Sequence, residues 1–284
     1  MTNKTISIKG IKSFLGLKKK NTPEEPVILC VDIETTAGIY YGWRLGKQHV
    51  DWTRIKKEPV ICCICWSING GKVQSATFDM SKYDINAYDD KSDYEIVKFI
   101  INIINSADLV VAHNSPFDIG FIRNRIVKHR LPDIAPILID DTYLKMKLVG
   151  MQSHKLDYML RYLGIGEKRK HEGLDMWKKV SNKDKHALSE MVKYCKDDVE
   201  GLRELYNYIK PYIKSNLNLA VFYGKPDICP KCSTEETIIR HGYHTTQTGR
   251  FQRYQCTACG WWGRDGQNLI SKKVTGTASN KYKR

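Results

Sequence analysis

No stretch of the 284-residue sequence approaches the ~20 consecutive apolar residues that a membrane-spanning helix needs, so a helical integral membrane protein is excluded. A disulfide framework is missing too. The nine cysteines are an odd number, and Cys30, Cys62, Cys63, Cys65 and Cys195 lie inside apolar runs, where Cys behaves as a small hydrophobe. No signal peptide opens the chain, so a reducing, cytoplasmic compartment is expected rather than secretion. There is no internal repeat. Apolar residues are not scarce: 42% of the chain is hydrophobic, which excludes wholesale disorder and allows one large domain, or one domain plus a small module. What is scarce is negative charge. Lys and Arg number 46 against 31 Asp and Glu, a net charge of +15. Residues 1–25 hold six Lys against two Glu, and residues 226–284 hold ten basic against four acidic residues, so both ends are disproportionately basic. A polyanionic partner is expected, with nucleic acid ahead of an anionic membrane surface; solvated solubility tails are the plain alternative.

Read along the chain, residues 1–25 form a basic, flexible tail that could dock on a protein partner, closed by the linker Asn21-Thr-Pro-Glu-Glu-Pro26. Strand-like apolar runs follow at Val27–Ile33, Pro59–Ile68, Lys72–Phe78, Asp108–Ala112 and Ile137–Ile139, with Asn69-Gly70-Gly71 as a hairpin signal. Helical patterns occupy Ser92–Asn105, Ser115–His129, Thr142–Val149, Lys155–Leu163 and Lys183–Lys210; Ser115-Pro116 supplies a cap and a first-turn proline. Strands first, then strands alternating with helices, predict a mixed α/β domain over residues 26–215. The aromatic and basic stretch from Gly38 to Glu58 is longer than a hairpin needs, and Trp43 and Arg44 are candidates for a wedge or channel against nucleic acid, or for simple surface packing.

Two carboxylates, Asp32 and Glu34, end the first strand two residues apart, so they project to the same face. Side by side they repel unless a cation lies between them. Asp118 falls in the first turn of the helix after Val111-Ala-His-Asn114-Ser-Pro-Phe117, where an acid also complements the helix dipole. Tyr194 and Asp198 are four apart on the long helix, and Asp198 interrupts the apolar seam Leu188, Met191, Val192, Cys195, Val199, Leu202. A buried acid costs several kcal/mol unless it is paired or metal-bound, so Asp198 is the anomaly that points to chemistry.

Asp32-Ile-Glu34, His113-Asn114…Phe117-Asp118 and Tyr194-x-x-x-Asp198, in that order, resemble the three motifs of the DEDD exonuclease superfamily. The tyrosine is similar to that of the DEDDy branch; the histidine branch would need His at position 193, which is Lys193. Lys155-Leu-Asp157-Tyr158 and Leu163-Gly-Ile-Gly166 are similar to the exonuclease domains of family B DNA polymerases and stand-alone relatives. The resemblance implies an RNase H-like (DnaQ-like) mixed sheet flanked by helices and a metal-dependent 3′→5′ exonuclease. Asp32, Glu34, Asp118 and Asp198 would hold two Mg²⁺ or Mn²⁺ ions, which hard oxygen ligands select over zinc, and Tyr194 would orient the attacking water. Asn114 and Phe117 would contact the nucleic acid.

Cys229-Pro-Lys-Cys232 and Cys256-Thr-Ala-Cys259 make two matched knuckles, and four thiolates can close a tetrahedral shell around one structural Zn²⁺. The strand patterns at Thr237–Tyr243 and Arg250–Gln255 between them look like a zinc ribbon, within a linker-and-ribbon segment of residues 216–269 that leads to a basic tail at 270–284. Arg240, Arg250, Arg253, Trp261, Trp262 and Arg264 interleave cations with aromatics, as suits single-stranded nucleic acid; a docking site for protein is the competing reading. The expected activity is exonucleolytic hydrolysis at single-stranded or frayed DNA 3′ ends, DNA being favoured over RNA. Trimming of RNA 3′ ends, and a catalytically inactive nucleic-acid-binding adaptor, are the alternatives. The short basic extensions and the lack of a polymerase segment fit a stand-alone enzyme of the kind a virus or mobile element could encode.

Overall fold

The structure is a computed structural model that describes residues 25–43, 49–168 and 172–270. Arg44 and nearly all of the two basic tails lie outside the described residues. The chain divides into two compact units, one up to Tyr208 and one from Ile209.

The first unit is built on a five-stranded sheet. Strand β1 (Ile28–Thr35) is followed by the short β2 (Ile39–Tyr40) and β3 (Ile55–Lys57), which pair with each other, then by β4 (Ile61–Ile68), β5 (Gln74–Thr77), β6 (Leu109–Ala112) and β7 (Leu138–Asp141). The sheet order is β5-β4-β1-β6-β7: β4 is antiparallel to β1 and β5, whereas β6 and β7 run parallel to β1. This is the mixed sheet that the motifs implied. The β4–β5 turn carries Asn69 and Gly70 at φ 48° and 75°, the left-handed pair that a tight hairpin demands and that Asn-Gly supplies at least strain.

Alternation along β4 shows why both faces are covered. Trp66 points to one face, where its ring meets Phe99 edge-on at 5.3 Å from helix α1 (Tyr94–Asn105). Neighbouring Cys65 points to the other, where its thiol donates to the Val192 carbonyl at 3.6 Å. Residues of a strand buried on both sides read as a continuous apolar run, as Ile61–Trp66 does; all six are buried. Helix α2 (Ser115–His129) is tied to α1 by a buried cluster in which Arg125 and His129 both contact Asp93, at 2.7 Å each. Short helices α3 (Thr142–Met146) and α4 (Leu156–Tyr162) follow, then α5 (Leu174–Ser181) and the long α6 (Lys185–Ile209). Gly201 lets α6 lie close to α4, because a Cβ there would sit 2.7 Å from Leu160 Cδ1.

The helix expected at Thr142–Val149 stops at Met146, where the chain leaves α-helix through a turn closed by Val149 N–H on the Met146 carbonyl. Helix α5 and, in the second unit, α7 (Leu219–Tyr223) were not expected from the apolar spacing. In that unit β8 (Ile238–Thr246), β9 (Gly249–Cys256) and β10 (Trp262–Arg264) form an antiparallel sheet of order β10-β9-β8. The expected hairpin is longer than the apolar runs indicated, and the third strand follows the second Cys pair. Among the described residues no helix is long and apolar enough to cross a membrane.

Candidate active site and metal-binding clusters

Strand β1 delivers Asp32 and Glu34 to the face that α6 covers. The Cys195 thiol of α6 donates to Asp32 Oδ2 at 3.4 Å, which fixes the helix against the strand at this level. One turn further on, Asp198 joins them, and carboxylate oxygens of Asp32, Glu34 and Asp198 come within 4.8 Å of one another. Asp198 is 6% exposed, and its Oδ1 is buried without a hydrogen-bond partner. Asp118 is buried nearby but is not part of that trio; its Oδ1 accepts from the Ile33 N–H at 3.2 Å, which ties the first turn of α2 to β1.

The electrostatics follow from this crowding. Burial, followed by repulsion from Asp198, pushes Asp32 up to about 7. Burial and the charge of Asp32 hold Glu34 and Asp118 well above the ordinary carboxylate range. Asp198 is raised by burial as well, although Lys168 opposes the shift. These are hard oxygen donors gathered where anionic charge is disfavoured, with one oxygen unpartnered; that donor set fits a divalent cation such as Mg²⁺ or Mn²⁺.

Tyr194 lies one turn before Asp198. Burial and the neighbouring Asp198 push its phenol up to about 12, so it stays protonated and able to donate near neutral pH. Two partners of Tyr194 were not singled out in the sequence. Trp177 of α5 meets its ring edge-on at 6.2 Å, and Lys168 Nζ donates to its hydroxyl oxygen at 3.2 Å and to Asp198 Oδ2 at 2.6 Å. Asp141 is a third omission. It accepts from the N–H groups of Asn114, Ser115 and Leu144, and so caps the starts of α2 and α3 together. The double acid Asp140-Asp141 at a strand end was a readable signal for this capping; Lys168, in a loop, gave none.

Asn114 sits at the α2 N-terminus with φ 70° and is exposed; Phe117 is 51% exposed and stacks on Phe121 at 6.2 Å. His113, held neutral by burial to about 4, hydrogen-bonds Thr142 at 2.9 Å and serves the packing of this turn. Trp43 is 83% exposed, with the Arg54 guanidinium 5.5 Å from its ring.

In the second unit Cys229, Cys232, Cys256 and Cys259 converge with their sulfurs within 4.8 Å of one another, and none is in a disulfide. The Cys229–Cys259 and Cys232–Cys256 sulfurs are 3.7 and 3.8 Å apart. A tetrahedron with Zn–S bonds of about 2.3 Å has edges of about 3.8 Å, so these two spacings match a zinc site. The Lys231 N–H points at Cys229 Sγ at 3.4 Å, a donor suited to a thiolate. Arg240, Arg250, Arg253, Trp262 and Arg264 lie on the three-stranded sheet; Trp261 immediately precedes β10.

The mixed sheet brings two acids of a strand against one of a helix, a donor set for a divalent cation, and the comparisons with known proteins give the family. The sequence profile of the 3′-5′ exonuclease family matches residues 52–214, more than half of the chain, and the chain belongs to that family. The match includes Asp118, Tyr194 and Asp198; Asp32 and Glu34 lie before it. The chain is 31% identical over 152 residues to the PolC-type DNA polymerase III of Thermotoga maritima, a match that covers 42% of this chain and 10% of that protein. It thus spans about a tenth of the length of that curated relative. Among solved structures it is similar to the family B DNA polymerase of the hyperthermophilic archaeon Pyrobaculum calidifontis, at 15% identity and a TM-score of 0.47, covering 68% of this chain and 26% of that one.

Proposed function

We propose that the chain is a metal-dependent exonuclease that hydrolyses phosphodiester bonds at single-stranded or frayed DNA 3′ ends. The observation that carries this reading is the meeting of Asp32, Glu34 and Asp198 within 4.8 Å, with Tyr194 one turn before Asp198 on the same helix. Asp32, Glu34, Asp118 and Asp198 would hold two Mg²⁺ or Mn²⁺ ions, which supply charge stabilisation for an in-line phosphoryl displacement. Tyr194, protonated near neutral pH, donates a hydrogen bond that orients the attacking water, and Trp177 keeps its ring in place. Lys168 offsets the negative charge of the acids and holds the phenol from its oxygen side. Asn114 and Phe117, exposed at the start of α2, present an amide and a ring to the terminal nucleotides, and Trp43 presents a second ring. The domain of residues 26–215 carries the chemistry. The ribbon, organised by one structural Zn²⁺ on Cys229, Cys232, Cys256 and Cys259, adds affinity for the nucleic acid. The test is digestion of 5′-labelled and 3′-labelled DNA and RNA with Mg²⁺, Mn²⁺ or chelator. Stepwise shortening of 5′-labelled DNA, abolished by chelator, is expected; cleavage that proceeds in chelator, or from the 5′ end, contradicts the reading.

A further inference from the structure

The three strands of the ribbon contain four arginines and no carboxylate: Arg240 in β8, Arg250 and Arg253 in β9, and Arg264 in β10. None of the four makes an ion pair with a carboxylate among the described residues. Strand parity then sorts the side chains. Trp262 pairs with Gln255 and Arg264 with Arg253, so Trp262, Arg264, Arg253 and Phe251, two residues along β9, share one face. Arg240, Tyr243, Arg250 and Tyr254 share the other.

The two faces differ in how they are finished. The second has one cation–ring pair, Arg250 over Tyr243 at 3.9 Å, but there the Trp261 indole fills the space that a side chain at Gly263 would need, and the Tyr254 hydroxyl approaches the Asp265 carboxylate at 3.4 Å. The first has two such pairs in a row: the Arg253 guanidinium carbon is 4.9 Å from the Trp262 ring centroid, and that of Arg264 is 4.0 Å from Phe251. The His241 ring adds a contact to Trp262 at 4.7 Å. Trp262 is 44% exposed. It also borders a groove of about 780 Å³ within the same unit, lined by Tyr212, Lys214, Leu217, Asn218 and Trp261 among others.

We propose that this face, Phe251–Arg253–Trp262–Arg264, is a binding surface for single-stranded nucleic acid, with bases stacking on the rings and guanidinium planes and phosphates held by the arginines. Rings accept any base, and guanidinium planes stack on bases while their edges donate to phosphate, so the row suits a strand and not one particular sequence. Unbalanced positive charge next to apolar rings favours a polyanion with aromatic groups over a peptide of mixed charge. The inference rests on the nuclease reading only for the identity of the polyanion.

The test uses the full-length protein in buffer without divalent cations and a fluorescein-labelled thymidine 20-mer, with affinity measured across a KCl series. Trp262→Ala should weaken binding about tenfold, within the range for one stacked base, and Trp262→Phe should restore most of it. Arg253→Gln with Arg264→Gln should reduce the salt slope by about 1.4, the value for two phosphate contacts on a single strand. Arg240→Gln with Arg250→Gln removes the same charge from the opposite face and should change both quantities less. Unaltered zinc content in each variant keeps the comparison among folded proteins. Equal losses from the two arginine pairs, or unchanged affinity in Trp262→Ala, would overturn the assignment of this face, the second result leaving protein docking as its use. A parallel assay of the 4-nitrophenyl ester of thymidine 5′-monophosphate, which occupies only the catalytic centre, should give equal rates in all variants. If the unaltered protein with Mg²⁺ leaves the ester intact, the nuclease reading fails while the binding comparison still decides the face.

Discussion

Lys168 Nζ lies 2.6 Å from Asp198 Oδ2, so a loop cation reaches the helix carboxylate that meets Asp32 and Glu34. Burial disfavours its charge, but the pull of Asp198 raises the Lys168 pKa, and the ammonium stays charged throughout the neutral range. Among the described residues it is a counter-charge that acts on all three acids.

A divalent cation must therefore bind against that ammonium. Lys168→Met should lower the half-saturating Mg²⁺ concentration for nucleotide release by about tenfold, since removing one nearby positive charge at the partly exposed site deepens the negative potential. The maximal rate should fall at the same time, because Tyr194 loses a hydrogen-bond donor. A Mg²⁺ titration of initial rates separates the two effects.

The carboxylates also make stability pH-dependent in a direction opposite to that of most acids. Asp32 is raised from 3.8 to about 7 in the folded protein. The folded state therefore binds more protons than the unfolded chain between about pH 4 and 7, and its stability falls as pH rises through that window. His113 works against this below about 6.5, because burial lowers its pKa to about 4 and the unfolded chain takes up the proton first. The difference between wild type and Asp32→Asn isolates the carboxylate. Metal-free wild type should lose roughly a few kcal/mol relative to the variant between pH 5 and 7.5, and Mg²⁺ should restore wild type alone. Thermal melts at three pH values measure this.

Much of this site was readable from periodicity. Period two on β1 placed Asp32 and Glu34 together, and the helical seam marked Asp198 as a buried acid, which the structure bears out at 6% exposure. Lys168 and Trp177 were not read, for a common physical reason: each reaches the site through tertiary packing, from a loop or an unexpected short helix, and neither disturbs the apolar pattern of its own segment. Asp141 was missed although the double acid at its strand end was legible. The spacing of the Cys pairs singled out four cysteines whose sulfurs the structure brings together, whereas the division of the arginines between two faces of the sheet needed the strand register.

Asp141 should be the most costly of these to lose. It receives the N–H groups of Asn114, Ser115 and Leu144 and the Ser115 hydroxyl. Asp141→Ala leaves those donors unmet in a largely buried turn and should destabilise the protein by about 2–4 kcal/mol. Because the same turn carries Asp118, nucleotide release should fall in the folded fraction too. Urea denaturation paired with activity at low urea tests both.

The ribbon should hold one zinc ion per chain. With zinc bound, such a small sheet would gain most of its folding energy from the metal, about 10–16 kcal/mol in comparable peptides at neutral pH. Cys256→Ser should therefore abolish zinc retention and expose residues 226–264 to protease. Elemental analysis and limited proteolysis check this, and retention of a full zinc equivalent would contradict the four-cysteine assignment.

The central claim is that Asp32, Glu34 and Asp198 form the hydrolytic centre. The direct measurement is a time course on a 5′-labelled single-stranded DNA with Mg²⁺, run with wild type and with Asp198→Asn, which keeps the side chain's shape. The account predicts a ladder shortening one nucleotide at a time for wild type, and a rate reduced by at least about a thousandfold for the folded variant. An undiminished ladder from Asp198→Asn would contradict it.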